Sequence, residues 1–213
     1  MAELSEVTWP RLRRQDPSRT LCLDEVTVLA AHFSRAFSQD PLISWFAPGA
    51  ASRSGFFSAL LANIDPADVQ RSVCGAAVAV WTPSERLECG VSWQEVCAVP
   101  ALLQAIGPLG LLRTGRFALA MASRHPRHPA HDYLMLLGVT QQARGRGLAS
   151  QLLVTRLAAQ DRAGRGAFLE TANPANLEFY EAHGFETLAS FKPFAGGPRL
   201  WSMWRAPKGA ASA

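Results

Sequence analysis

Long apolar runs are the first thing this chain lacks. Its most apolar stretches, Leu102 to Leu112 and Phe117 to Met121, are broken or bounded by Gly, Pro, Gln and Arg. Neither reaches the roughly 20 unbroken apolar residues that a membrane helix requires, so no membrane role is expected. The first twenty residues carry Arg11, Arg13, Arg14 and Arg19 but no apolar signal core, which predicts a cytoplasmic protein. Cysteine pairing is also missing. Cys22, Cys74, Cys89 and Cys97 make neither C-x-x-C nor a zinc spacing, so no metal is expected and most read as small buried hydrophobes of a reducing compartment. No Lys/Arg stripe with interleaved aromatics is present, so no nucleic-acid partner is expected. The net charge of +4 and pI near 9.2 suit a polyanionic ligand without specifying one.

What remains is a chain of 213 residues, 48% of them apolar, which is enough for one sizeable core. Residues 21–206 read as a single domain, with 1–20 a flexible arm and 207–213 a flexible tail. Leu21-Cys22-Leu23 reads as a first strand, with Asp24 capping a helix through Val26, Leu29, Ala30, Phe33 and Phe37. A second helix runs through Phe56, Phe57, Leu60 and Leu61. Val73 to Trp81 is a near-continuous apolar strand closed by Pro83, as expected when both faces are covered. Short helices at 92–96 and 101–106 and a longer one at 111–122 follow. The remainder alternates: strand 133–139, helix 147–163, strand 167–171, helix 174–183, strands 185–191 and 199–205. Mixed strands and helices on both faces predict an α/β (α+β) sandwich.

The run from Val139 to Ser150 is the richest in chemistry. It is a strand, a glycine loop carrying Arg144, Gly145, Arg146 and Gly147, and a helix opening at Leu148 and Ala149. Glycines let backbone amides approach a phosphate at a positive helix end, and two arginines stand beside them. A nucleotide-hydrolase loop, G-x-x-x-x-G-K-[ST], is absent. A dinucleotide G-x-G-x-x-G is matched only in part, because Ser150 takes the third glycine's place; Glu170 would then be the ribose-binding acid. A third frame is Arg144-x-x-Gly147-x-Ala149, and the same pattern fits at Gln142, Gly145 and Gly147.

A second constellation, Leu169 to Phe185, holds a strand, Asn173 as a helix cap, Pro174 at the first helical position, Tyr180 near the helix end, and Gly184 as terminator. Together the two runs resemble the GNAT superfamily of N-acetyltransferases, whose acetyl-CoA signature is R/Q-x-x-G-x-G/A. Gly75 to Pro83, Gly197 to Met203, and the helix ending Phe37-Ser38-Gln39-Asp40-Pro41 resemble the branch containing puromycin N-acetyltransferases.

The resemblance implies a GNAT fold with a central mixed sheet of about six to seven strands. It implies acetyl-CoA as acetyl donor, held by the loop from Arg144 to Ala149 and by the backbone of Leu137 and Val139, with Asn173 facing the cofactor. Tyr180 takes the general-acid position: a phenol with an ordinary pKa near 10 stays protonated and can hand a proton to a departing thiolate. Glu170 is the first candidate base, with Asp132 and His131 as second candidates. His125 and His128 read as solvated loop residues, and His183 as a favourable charge at a helix end. Trp45, Phe46 and Trp93 could line an acceptor pocket, though by default such rings are core. The implied acceptor is a primary amine of a small molecule, possibly an antibiotic. A protein amino group, a non-catalytic CoA sensor and the dinucleotide binder are the alternatives, and the assembly is a monomer or homodimer.

Overall fold

A computed structural model describes residues 20–87, 93–122, 124–125, 129–194 and 196–209, with the side chains of 93–97 and 122 excepted. Nearly all of the expected arm, and residues 210–213 of the tail, lie outside these. Six strands make one sheet: β1 (Val69–Arg71), β2 (Ala77–Pro83), β3 (His131–Val139), β4 (Gly166–Thr171), β5 (Glu186–Phe191) and β6 (Leu200–Arg205). Their order is β1-β2-β3-β4-β6-β5, antiparallel throughout except for the parallel pair β3 and β4.

Helices cover both faces, as the alternation predicts. On one face α1 (Leu23–Ala36), α2 (Pro41–Phe46), α3 (Ala50–Leu61) and α5 (Trp93–Ala122) pack with Val78, Val80 and Leu136. On the other, α6 (Leu148–Arg162) and α7 (Leu177–Glu181) pack with Ala79, Trp81, Leu134 and Leu169. The one-turn helix α4 (Ser84–Leu87) follows β2 directly.

Local chemistry moves several predicted boundaries. There is no strand at Leu21–Leu23. Cys22 is the N-cap of α1, its amide donating to Glu25 Oε2 (3.2 Å), so Asp24 sits inside the first turn instead of capping it. β2 begins at Ala77 because Gly75 turns the chain at φ 68° and leaves Val73 fully exposed. The helical pieces read at 92–122 form one element broken at Gly107 (φ 69°), with Pro108 opening its second half. The short strand β1 has too few residues to show a periodicity. Of the cysteines expected to be buried, Cys22 and Cys74 are exposed, and the side chains of Cys89 and Cys97 lie outside the described residues.

The central strand positions everything that follows. Its register with β2 passes from Val80↔Leu136 to Trp81↔Leu134, leaving Met135 as an extra residue. Such a bulge bends a strand and shifts its alternation. Leu134 faces α6; after the bulge Leu136 faces α1, while Leu137 and Val139 return to the α6 side. Pairing between β3 and β4 stops at this point, with Leu134↔Leu169 as its last pair. Beyond it β3 pairs with β2 alone, and Glu170 and Thr171 pair with β6 alone. The two parallel strands therefore splay apart from Met135 onward.

Helix α1 closes against the free end of β3. A Cβ on Gly138 would lie 2.9 Å from Phe33 Cδ1 and 3.1 Å from Ala36 Cβ, so this approach of helix to strand needs a glycine. His32 Nε2 donates to the Gly138 carbonyl (3.1 Å) and ties the two elements together.

Candidate active site

A cavity of about 660 Å³ opens where the strands splay. Leu137, Gly138 and Val139 of β3 line it, facing the glycine loop on one side and the end of α1 on another. Of the residues the sequence nominates for the cofactor, Leu137, Val139, Arg144, Gly145, Gly147, Leu148, Ala149 and Asn173 all lie on its wall. Arg146 is exposed and is not part of that wall. Gln142 is not either, which places the frame Arg144–Gly147–Ala149 at the cavity.

The loop geometry follows from its glycines. Gly145 and Gly147 adopt φ 75° and 73°, the left-handed region that a side chain would strain. Gly147 is the N-cap of α6 and offers no side chain, so no side chain caps the first-turn amides beside Leu148, Ala149 and Ser150. An uncapped start to a 15-residue helix, at a cavity wall, suits a pyrophosphate. Arg144 donates to the Ala36 carbonyl (2.9 Å) and so ties the loop to the end of α1.

On the far wall Asn173 accepts from the Ala175 amide (3.1 Å), capping a 3-10 turn over Pro174–Asn176. The predicted helix at 174–183 is thus this turn plus α7. Gly184, at φ 86°, ends it, and the Phe185 amide returns to the Tyr180 carbonyl (3.2 Å). Tyr180 is thereby fixed on the cavity wall and is 8% exposed. Burial, and then the charge of Asp40, push its phenol well above the usual tyrosine range, so it holds its proton at neutral pH. Asp40 lines the same cavity. Its Oδ1 accepts the amides of Leu42 and Ile43 (both 2.9 Å), and burial raises its carboxyl despite those bonds.

Glu170 is placed differently. It belongs to the side of β4 carrying Phe168, not the side where Leu169 packs beneath α6, and it does not line the cavity. Its Oε2 accepts from the Tyr133 hydroxyl (3.1 Å), while Oε1 is buried with no partner among the described residues. Burial raises its carboxyl to about 7, against a smaller downward pull from the Tyr133 hydrogen bond. Tyr133 is itself pushed well above its ordinary value, first by burial and then by the charges of Glu170 and Tyr180. The ribose-binding acid of a dinucleotide fold bonds the sugar directly, which Glu170, off the cavity wall, does not reach, and a sheet with one parallel pair is not a doubly wound dinucleotide fold. The dinucleotide frame is corrected on both counts.

The second-choice bases are otherwise engaged. Asp132 accepts from Arg156 (2.9 Å), Gln160 (3.0 Å) and Arg165 (2.9 Å), which hold it among the α6 donors, and it does not line the cavity. His131 is fully buried between the Pro129 carbonyl and His125 (2.8 and 2.9 Å). His125 is not a solvated loop residue: it is half-buried against Tyr133 and Phe168, and burial, then His131, lower it to about 4. His128 lies outside the described residues. His183 Nδ1 bonds the Phe179 carbonyl (2.7 Å) at the end of α7.

Among the expected acceptor-lining rings, Phe46 is core at 3% exposure, and the Trp93 side chain is outside the described residues. Trp45 stacks on Phe194 (4.2 Å between centroids, 6°), with the Arg113 guanidinium 4.5 Å from its ring centroid. Among the described residues no group of His, Cys, Asp and Glu could hold a metal, and no helix is long and apolar enough to cross a membrane.

Sequence reasoning gives no site role to Asp40, which lines the cavity, or to Tyr133, which bonds Glu170. In the sequence Asp40 reads only as part of the end of a helix at Phe37-Ser38-Gln39-Asp40-Pro41, whereas it is the N-cap of α2. Tyr133, one of two tyrosines in the chain, lay inside an apolar strand where a ring reads as packing.

Residues 113–187 match the acetyltransferase (GNAT) domain family. Sixty-nine residues are 38% identical to an acetyltransferase of Agrobacterium fabrum, covering 32% of this chain and 50% of that protein. The chain thus spans about half the length of that relative. A solved Corynebacterium glutamicum structure, described as a histone acetyltransferase and related acetyltransferase, superposes with a TM-score of 0.58 at 20% identity, over 89% of this chain and 93% of that one. The polyamine N-acetyltransferase of Drosophila melanogaster does so with a TM-score of 0.54 at 17% identity, over 88% and 98%. At these identities the likeness to solved structures is one of fold.

Proposed function

We propose that the chain, whose residues 113–187 match the GNAT acetyltransferase domain family, is an acetyl-CoA-dependent N-acetyltransferase acting on a primary amine of a small molecule. One observation carries the reading: the splay of β3 from β4 opens onto the glycine loop and onto the buried phenol of Tyr180 in a single cavity. GNAT domains take acetyl-CoA as acetyl donor, which supplies an activated acyl group and a thiol leaving group.

The residues divide the remaining work. Gly145, Gly147 and the amides at Leu148 and Ala149 hold the pyrophosphate, with Arg144 bracing the loop and Arg146 adding charge from outside. The backbone of Leu137 and Val139, which has no β4 partner, aligns the pantetheine arm, and Asn173 faces it from the opposite wall. Glu170 takes a proton from the acceptor ammonium. It works through a bridging water, because its carboxylate does not line the cavity. The freed amine attacks the acyl carbon, the carbon–sulfur bond breaks as Tyr180 Oη gives its proton to the leaving sulfur, and the second amine proton passes to the phenolate and restores it. Holding both reactants in one cavity supplies much of the acceleration.

A base that titrates near 7 makes turnover rise with pH through that value. The test is CoA-thiol release from acetyl-CoA across a panel of primary amines, including puromycin and agmatine, against a blank without amine. Amine-dependent release that Glu170→Gln strips of its acid limb supports the reading. Acetyl-CoA binding without release by any amine favours the non-catalytic sensor, and release on peptide amines alone favours a protein acceptor.

A further inference from the structure

We propose that Tyr133 is a positioning residue for the transfer, clamping Oε2 of Glu170 so that Oε1 is presented to the water that bridges it to the acceptor amine. The inference rests on the reading of Glu170 as the base.

Three features of the fold support it. Tyr133 lies in the last stretch of β3 that pairs with β4, opposite Phe168 and one pair before the separation. Glu170 is the first β4 residue beyond it. The phenol therefore reaches from the closed half of the strand pair into the open half, and its hydroxyl meets Glu170 Oε2 at 3.1 Å. The ring cannot easily swing away, because Phe168 lies 5.9 Å from it and His125 stands edge-on at 5.4 Å and 90°. The second carboxylate oxygen, Oε1, is buried with no partner among the described residues. A buried oxygen without a partner is costly, and fixing its twin leaves it one direction in which to accept a donor.

The electrostatic surroundings are sparse. From β3 Glu170 meets Tyr133; behind that phenol stands His125, from the segment before β3, which in turn touches His131 at the start of β3. On β6 its register partner is Ser202, whose hydroxyl donates to the Ala189 carbonyl (3.5 Å). No guanidinium or ammonium among the described residues pairs with it. Tyr133 keeps its proton throughout the working range and so donates to Glu170 in either protonation state. Because a hydrogen bond to the ionised carboxylate favours that form, the same contact draws the base's titration downward against burial.

Tyr133→Phe keeps the ring and removes the clamp. We expect the acid limb of kcat, at saturating amine and acetyl-CoA, to move to higher pH. At pH 6, kcat should fall about tenfold, the scale of a lost charge-assisted hydrogen bond, while acetyl-CoA KM stays unchanged. A ¹³C NMR titration of the Glu170 carboxyl, assigned by its loss in Glu170→Gln, reads the same shift without any acceptor. It should move upward in Tyr133→Phe. If Glu170→Gln abolishes the limb but Tyr133→Phe leaves both limb and carboxyl titration in place, with only Tm lowered, Tyr133 is packing and the proposal fails. If Glu170→Gln keeps the limb, the base assignment itself fails, whatever Tyr133 does.

Discussion

At the start of β3, Asp132 receives three donors from α6 and the loop after it, and one of them, Arg165, also grips both oxygens of Glu85 (2.7 and 2.9 Å). At the end of the same strand, past Met135, the backbone has no β4 partner and borders a cavity. The neighbouring carboxylate, Glu170, keeps one oxygen unbonded. The strand is continuous, and what differs is whether β4 lies beside it. Where the parallel pair is closed, buried charge is fully matched and serves stability. Where it opens, polar groups stay available for a ligand.

Substitutions at the two ends should separate these roles. The largest effect is expected at the open end: Tyr180→Phe should lower kcat by about 10²–10⁴ with little change in acetyl-CoA Kd, measured by steady-state kinetics and calorimetry. Equal losses in both would make Tyr180 a packing residue. At the closed end, Asp132→Ala should cost about 2–3 kcal/mol in urea unfolding while the folded enzyme keeps its kcat. This is less than a fully buried pair would lose, because Arg156 and Arg165 are 30% and 25% exposed. Gly147→Ala forces a side chain into the left-handed region, a strain of about 1–2 kcal/mol, and should appear as weaker acetyl-CoA binding. Arg146→Glu, outside the wall, should weaken that binding by about 1 kcal/mol, and less at high salt.

The smallest shift expected is one of stability with pH. Glu170 titrates near 7 when folded against an ordinary 4.5, so its contribution is present below about 4.5 and is lost as pH rises through 7. Glu170→Gln should therefore match the parent in Tm at pH 4 and exceed it by about a few degrees at pH 8. A Tm difference independent of pH would show that Glu170 is not held near neutrality by burial.

Much of the open end was legible in the residues. Gly145 and Gly147 mark a loop whose backbone can approach a phosphate at a helix start, and Asn173, Pro174 and Gly184 bracket the helix that carries Tyr180, because capping and turn chemistry are local. The closed end was not. Asp132 next to His131 looked like a free acid at the head of a strand, and nothing nearby pointed to Arg156, Gln160 and Arg165 folding back on it from α6. His125 read as solvent-exposed for the same reason: its partners Tyr133 and Phe168 come from two strands that meet only in the sheet.

By itself the sequence determined the mixed α/β architecture, the loop that can seat a pyrophosphate, and the presence of Tyr180 near a short helix's end, since each depends on φ preferences, caps and periodicity within a dozen residues. Only the tertiary structure decided where β3 parts from β4, which carboxylate is spent on ion pairs and which is left half-bonded, and that Asp40 lines the cavity while Tyr133 bonds Glu170. Those outcomes depend on a one-residue bulge and on pairings between distant segments, and neither leaves a periodic trace in the chain.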